Sequence, residues 1–389
     1  MKNKKRVLAL LSLMAFLANG DNYAAAPLLL EISNDLSITL DAAALSVTAY
    51  MLAFGLFTLI FGPLSDRYGK VKIINIAAIG TAIFSMLGAL SFNLASLVVF
   101  RAVNGAFAAG IFPVTMALAG QSSNDENRHK TLGRVMGYMF LGAATATAIG
   151  GVLSYIGSWR LVYLFYGIGE LITALVMLKL LERDQPILRK LNYVEAYKGA
   201  VTNYKLLMIV ITVFFVGFSV FGTFTYSGKL LQTISDYNIL IIGLILSLFG
   251  VGTVIGGRVA PVIKKILKRG FLVTAGIIGA VSLLALSLSS DIVIICLGLF
   301  GFGFAFIFFQ STLISAAQDR LPTMRGTAMS MASFNMFVGG AVGTTINSLI
   351  INAYGIPVIY RTASVMVLII GFIATILVFS KPKQTEKIQ

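Results

Sequence analysis

The chain is short of the side chains that most chemistry needs. Its 389 residues include one cysteine, Cys296, and one histidine, His129. A single cysteine excludes a disulfide framework and a cysteine zinc site. His129 follows the polar stretch 121–128 and reads as a solvated loop histidine. Charge is scarce as well. Asp, Glu, Lys and Arg make up 12% of the chain, against about 25% in soluble domains. Acidic residues are the scarcest, 15 against 30 basic, for a net charge of +15. Apolar side chains fill the gap: 58% of residues are hydrophobic and mean hydropathy is +0.90. A water-soluble fold cannot hide that much apolar surface, so the bilayer is the expected solvent. The positive charge does not point to nucleic acid, because the basic residues are dispersed among short loops and form no single face.

A helix needs roughly 20 apolar residues to cross ~30 Å of hydrocarbon. The apolar runs predict twelve: 6–30, 42–64, 73–92, 94–118, 132–156, 161–181, 206–227, 240–263, 271–288, 292–316, 326–351 and 356–379. With both termini cytoplasmic, all but four of the 30 basic residues fall in inner segments, as the positive-inside rule requires. The four are Arg160, Lys229 and Arg361 outside, and Arg101 within a span. The first run has a rival reading. Lys2 to Arg6, an apolar stretch and Ala24-Ala25-Ala26 also resemble a cleavable signal peptide, which would leave eleven spans. The polar connection 182–205 reads as a linker between a bundle at 1–181 and one at 206–389.

Between the second and third runs stands Gly62-Pro63-Leu64-Ser65-Asp66-Arg67-Tyr68-Gly69-Lys70-Val71-Lys72-Ile73. It resembles the loop signature of the major facilitator superfamily, G-x-L-x-D-R-x-G-[RK]-[RK]-x-x. Gly62, Asp66, Arg67, Gly69 and Lys70 sit at the signature's spacing; Val71 departs from it. A degenerate echo, Gly256-Gly257-Arg258 through Gly270, falls between the eighth and ninth runs and lacks the acidic residue. The resemblance implies an all-α integral membrane protein with twelve transmembrane helices in two pseudo-symmetric six-helix bundles. Such parallel repeats place the substrate site near mid-membrane between the halves. It also implies that Asp66 belongs to a conformational latch against the start of the eleventh span, near Arg325.

Charges inside spans are costly and default to functional hypotheses. Three are deep: Asp21, Arg101 and Glu170. At 1.5 Å per residue, Asp21 and Arg101 lie at nearly the same depth of the same half, so they can pair. Asp21 is the candidate proton carrier and Arg101 the partner that it holds or releases; a static ion pair is the alternative. Glu170 lies near mid-membrane, where it can carry a proton, meet a cationic substrate, or serve only as a neutral group at a helix interface. Arg101-Ala102-Val103-Asn104-Gly105-Ala106-Phe107-Ala108-Ala109 resembles the fourth-span pattern R-x-x-Q-G-x-x-x-A of proton-coupled members, with Asn104 in place of glutamine. Asp21-Asn22 with Pro27 resembles the first-span pattern of drug exporters. In the fifth span Gly142, Gly150 and Gly151 match the outer glycines of the antiporter pattern G-x-x-x-G-P-x-x-G-G. Thr147 replaces its proline, and small residues there also suit plain helix packing. Gly157-Ser158-Trp159-Arg160 resembles the G-W-R that opens the sixth span.

Aromatic and methionine side chains adapt to lipophilic ligands. Asn22, Tyr50, Phe54, Asn104, Tyr138, Met139, Phe218, Asn335 and Met336 are the candidates for a substrate cavity. Taken together, the resemblance implies proton-coupled efflux of lipophilic or amphiphilic small molecules by a monomer in the cell membrane. Export of a natural metabolite, such as a sugar, nucleoside or amino-acid derivative, is the alternative. No cofactor is expected: the chain lacks the phosphate-binding G-x-x-x-x-G-K-[ST] loop, and no histidine or close carboxylate pair in a span suggests a metal or an enzyme site.

Overall fold

The computed structural model describes residues 4–121, 125–182, 184 and 193–379. Among these, all regular structure is helical. The first half comprises α1 (Lys4–Tyr23), α2 (Ala25–Asp35), α3 (Leu40–Tyr68), α4 (Lys70–Ala89), α5 (Leu94–Ala108), α6 (Ile111–Gln121), α7 (Asp125–Ile156) and α8 (Trp159–Leu180). A short helix, α9 (Tyr193–Val201), follows. The second half comprises α10 (Tyr204–Phe224), α11 (Ser227–Ile234), α12 (Ile239–Leu267), α13 (Phe271–Leu288), α14 (Ile292–Arg320), α15 (Arg325–Tyr354) and α16 (Ile356–Phe379).

Several spans are broken or differ from their expected bounds. The first is bent by 47° between α1 and α2. The fourth divides into α5 and α6 at Ala109, and the seventh into α10 and α11 at Thr225. The signature between the second and third spans is not an extended loop. Helix α3 continues to Tyr68, and the reversal takes one residue, Gly69, at φ 91°. A side chain is strained in that region, which explains the glycine. Likewise α7 starts at Asp125, so the backbone of the expected 121–131 loop is helical from that point; the His129 side chain lies outside the described residues. Helix α9 falls inside the expected linker, most of whose first half is outside the described residues. Elsewhere the helix starts follow local capping. Asn93 accepts from Ser96 N–H in a capping box, and Asn203 and Asn238 accept from Leu206 and Ile241 N–H.

By length and hydropathy, ten stretches among the described residues can cross a membrane, or eleven with the bent pair. One of the ten covers 50 residues, Ile239–Leu288, about 75 Å if straight. It is interrupted by the turn Lys268–Gly270, where Lys268 adopts φ 48°. Gly252 and Gly256 of α12 lie on Phe300 and Phe304 of α14, while Gly279 of α13 lies on Ala305. Two helices against one stretch of α14 must run side by side. They are separate spans, which brings the number among the described residues to twelve.

The halves repeat their packing. In the first, α1 packs on α7, α3 on α5, and α4 on α8. In the second, α10 packs on α15, α12 on α14, and α13 on α16. Span for span these are the same pairs. Their closest crossings match too. Gly142 meets the Phe16 carbonyl and Gly339 the Phe214 carbonyl; Gly105 meets the Tyr50 carbonyl and Gly303 the Phe249 carbonyl. No residue with a Cβ fits those crossings without moving backbone, so small residues set the helix spacing.

The halves meet along α3–α15 and α7–α12. At the end of the bundle that carries Asp35, Asn352 Nδ2 donates to Asp41, and Gly151 lies against the Ile239 carbonyl and Gly243. Toward the end that carries Gly69, a Cβ added at Gly133 or Gly137 of α7 would meet nothing within 4 Å, while Val135 and Met139 of the same stretch pack on Ala15 and Ala119.

Candidate functional site

Asp21 sits two residues before the end of α1, beside the bend. Its Oδ1 accepts from Arg101 Nη1 at 3.1 Å, and both side chains are 1% exposed. The guanidinium is held on several sides. Nη1 also donates to Asn104 Oδ1 at 3.1 Å, and Asn104 Nδ2 donates to the Thr81 carbonyl at 2.9 Å. Its carbon lies 4.4 Å from the Tyr50 ring centroid and 4.9 Å from that of Tyr163, both within cation–π range. Gly105, one turn beyond Arg101, lets α5 touch the α3 backbone at Tyr50 and so brings ring and guanidinium together.

Glu170 completes the cluster from α8. It is fully buried, and neither carboxyl oxygen has a hydrogen-bond partner. One turn earlier, the Tyr166 ring packs over Gly20, next to Asp21, and its hydroxyl is also unpartnered. Asp21 Oδ2 and Arg101 Nε are free as well. A buried ion pair is weak evidence for stability, since desolvation offsets the attraction. Unpartnered buried carboxyl oxygens cost more still. This cluster therefore spends stability on something other than folding.

The second half lacks it. The matched glycine crossings align Phe16 with Phe214, and Gly105 with Gly303. Counting from them, Ser219 takes the place of Asp21, Leu299 that of Arg101, and Phe302 that of Asn104. Phe249 stands at the Tyr50 crossing and packs edge to face with Phe302 at 5.2 Å. The same architecture thus holds charges in one half and a dry aromatic cluster in the other.

Between the halves lies a cleft lined by Asn22, Tyr23, Ala25, Ala26, Val47, Met51, Phe221, Phe224 and Thr225. Asn22 and Tyr23 directly follow Asp21. Tyr23 packs edge to face on Phe221 at 5.8 Å, across the two halves. The remaining cavity candidates scatter. Tyr50 and Asn104 surround Arg101 inside the first half. Phe54 stacks on Phe337 across the halves at 3.9 Å. Met336 is buried, with its sulfur 3.6 Å from Gln310 Nε2. Asn335 donates within its own helix, to the Met331 carbonyl. The Phe218 carbonyl abuts Gly343. Met139 is buried, its carbonyl accepting from Asn19 Nδ2, whereas Tyr138 is 51% exposed.

The signature residues are placed differently from the expected latch. Gly62 faces Ser330 of α15. Asp66, however, forms its ion pair with Lys70, one turn on, at 3.3 Å; Arg325 is not among its partners within the described residues. Arg67 lies over the Tyr68 ring at 5.0 Å. Asp184 supplies what the sequence reading missed. Its carboxylate accepts from the N–H groups of Lys70 and Val71 at 2.8 and 2.9 Å, capping α4. An acidic residue outside a span, 114 positions away, carries no local signal for such a role. Gly142, Gly150 and Gly151 all make close backbone approaches: to Phe16, to Ala24 at the bend, and to Ile239 across the halves. Trp159 Nε1 and Arg160 Nη1 both donate to Asp35, and Arg160 Nη2 donates to the Ser91 carbonyl. That network ties the ends of α2, α4 and α8 together.

Three comparisons bear on kinship. A family model described as Major Facilitator Superfamily matches residues 11–344. The putative uncharacterized transporter YgaY of Escherichia coli (strain K12) is 29% identical over 157 residues; the chain spans 40% of that relative's length, as 40% of this chain. Puromycin resistance protein pur8 of Streptomyces alboniger is 30% identical over 40% of this chain and 31% of its own. Among solved structures, the nucleoside transporter NupG superposes with TM-score 0.79, covering 97% of this chain and 100% of that one at 13% identity, a likeness of fold. The chain belongs to the Major Facilitator Superfamily of membrane transporters.

Proposed function

We propose that this transporter exports lipophilic or amphiphilic small molecules in exchange for protons, and that Asp21 carries the proton. The observation that supports it is the buried Asp21–Arg101 pair at 3.1 Å, one turn from the bend and directly before two cleft residues. With Asp21 ionised, Arg101 holds α5 to α1. A proton on Asp21 cancels that attraction, and Asn22 and Tyr23 read the change at the cleft. The equilibrium between the two arrangements of the halves then depends on which of proton and substrate is bound. The bilayer, protons and a small-molecule substrate are the partners. No nucleotide enters the scheme, and the working unit is a monomer.

The lining of the cleft agrees with a lipophilic substrate. Of its nine lining residues, Asn22, Tyr23 and Thr225 carry a polar side-chain group and the rest are apolar. The partial similarity to a puromycin resistance protein agrees with the drug-efflux form of the reading. The Gly69 end is assigned to the cytoplasm of the cell membrane on the distribution of basic residues. On the same reading the chain divides into a bundle at 1–181, a linker at 182–205 and a bundle at 206–389. The test is transport in proteoliposomes with an imposed pH gradient and a panel of lipophilic dyes, wild type against Asp21→Asn. Gradient-driven dye movement that is lost in the variant is the expected result. Movement that survives intact removes Asp21 from the mechanism. A sugar or nucleoside moving in place of every dye replaces the substrate class.

A further inference from the structure

The seam between α3 and α15 is closed toward both ends of the bundle. It runs from the Asn352–Asp41 hydrogen bond to Ser330, which faces Gly62. Next to Gly62, helix α3 is short of one backbone bond. Pro63 stands inside the helix. Proline has no N–H, so the carbonyl of Leu59, four residues earlier, loses the donor that an α-helix would give it. Leu59 falls within the expected span 42–64, where an unmet backbone acceptor is costly. The structure supplies a donor from elsewhere. The Tyr197 hydroxyl of α9 donates to the Leu59 carbonyl at 2.7 Å, across 138 positions of the chain.

Helix α9 itself is fastened to the second half. It touches α10 and α15, and its Ala200 is fully buried. Just beyond its end, Asn203 Nδ2 donates to the Arg320 carbonyl of α14 at 2.9 Å. Arg320 Nη2 in turn donates to the Leu377 carbonyl of α16 at 3.0 Å. The base of α9 is thus tied to the second half, while its phenol reaches into the first.

We propose that α9 is a conformational strap: Tyr197 supplies the hydrogen bond that Pro63 denies to Leu59, and it does so only while the halves are closed along α3 and α15 at the Gly69 end. Parting the halves there carries α9 away with the second half, and the Leu59 carbonyl loses the phenol. The bond therefore favours the closed arrangement. One net hydrogen bond of this kind shifts such an equilibrium roughly two- to tenfold. Pro63 is what makes the phenol matter. A residue with an N–H at that position would satisfy Leu59 from within α3. The signature carboxylate does not act across the halves in this arrangement, since its partner Lys70 lies in the same half; the strap does. This inference needs the halves to move against one another, and it is independent of the substrate and of the proton.

Pulsed electron paramagnetic resonance of the full chain in lipid tests it. In a Cys296→Ser background, spin labels at Lys72→Cys and Asp319→Cys report the distance between an exposed site on each half, α4 and α14. The distance distribution gives the ratio of parted to closed molecules. Tyr197→Phe keeps the ring and removes the hydroxyl, so it is expected to fold and to raise that ratio roughly two- to tenfold. In a Pro63→Ala background the helix supplies its own N–H, and adding Tyr197→Phe is expected to change the ratio little. A ratio that is unchanged or lowered in Tyr197→Phe overturns the proposal. So does an equal shift in both backgrounds, which would mean that the phenol acts through something other than the Leu59 carbonyl.

Discussion

Asp21 and Arg101, 80 positions apart in the chain, meet at 3.1 Å with almost no exposure, and Arg101 lies sandwiched between the rings of Tyr50 and Tyr163. The second half has Ser219 and Leu299 in those places. The comparison suggests a direct trial. Breaking a buried pair from one side costs about 3–5 kcal/mol, so Arg101→Leu or Asp21→Ser alone lowers thermal stability in detergent. The double variant Asp21→Ser with Arg101→Leu copies the second half and recovers most of that loss. It folds and fails to couple dye movement to a pH gradient.

The cap on α4 is testable alone. Asp184→Ala leaves two N–H groups at the start of that helix without their acceptor and costs about 1 kcal/mol. Asp184→Asn keeps one acceptor oxygen and loses less. Thermal unfolding of the purified protein ranks the three. Equal midpoints for wild type and alanine variant would mean that the carboxylate contributes nothing.

Helix spacing predicts a contrast between glycines. Gly105→Ala drives a Cβ into the Tyr50 carbonyl and destabilises by about 1–3 kcal/mol. Gly133→Ala meets nothing within 4 Å and is neutral or slightly stabilising, because alanine favours the helix. Expression level and unfolding midpoint read the difference.

Phe221 closes the cleft on one side and touches Tyr23 of the other half. Phe221→Ala is expected to raise KM for a lipophilic substrate several-fold and to leave the pH dependence of transport in place. A change in pH dependence with KM unaltered would move Phe221 from the substrate to the coupling machinery.

The topology gives a labelling pattern. In a Cys296→Ser background, Lys268→Cys is expected to react with an impermeant thiol reagent only from the cytoplasmic side, and Ser289→Cys only from outside. The reverse pattern would invert the orientation that the basic residues imply.

Much of the fold was legible beforehand, for a local reason. Lipid forces each span to satisfy its own backbone, so an apolar run of sufficient length is a helix whatever surrounds it. The same reasoning placed Asp21 and Arg101 at nearly the same depth and Glu170 near mid-membrane. It failed where geometry depends on a partner. The bend at Ala24 and the breaks at Ala109 and Thr225 leave no clear trace in hydropathy. Helix α3 continues through the signature to Tyr68 because Gly69 alone makes the reversal. Asp66 was assigned a distant partner by resemblance, and in this arrangement it takes the lysine one turn away.

Composition and the order of apolar runs were sufficient by themselves for twelve membrane helices and three intramembrane charges, because the cost of exposing polar groups to hydrocarbon acts on each segment separately. Which charges touch, which carboxyl is left without a partner, and how Tyr50 and Asn104 come to lie against a guanidinium were decided only in three dimensions. Those contacts join residues from five different helices. Their distances follow from the backbone crossing of α5 on α3 at Gly105 and from the Tyr166 ring seated on Gly20, where the absence of a side chain sets how near the helices can come.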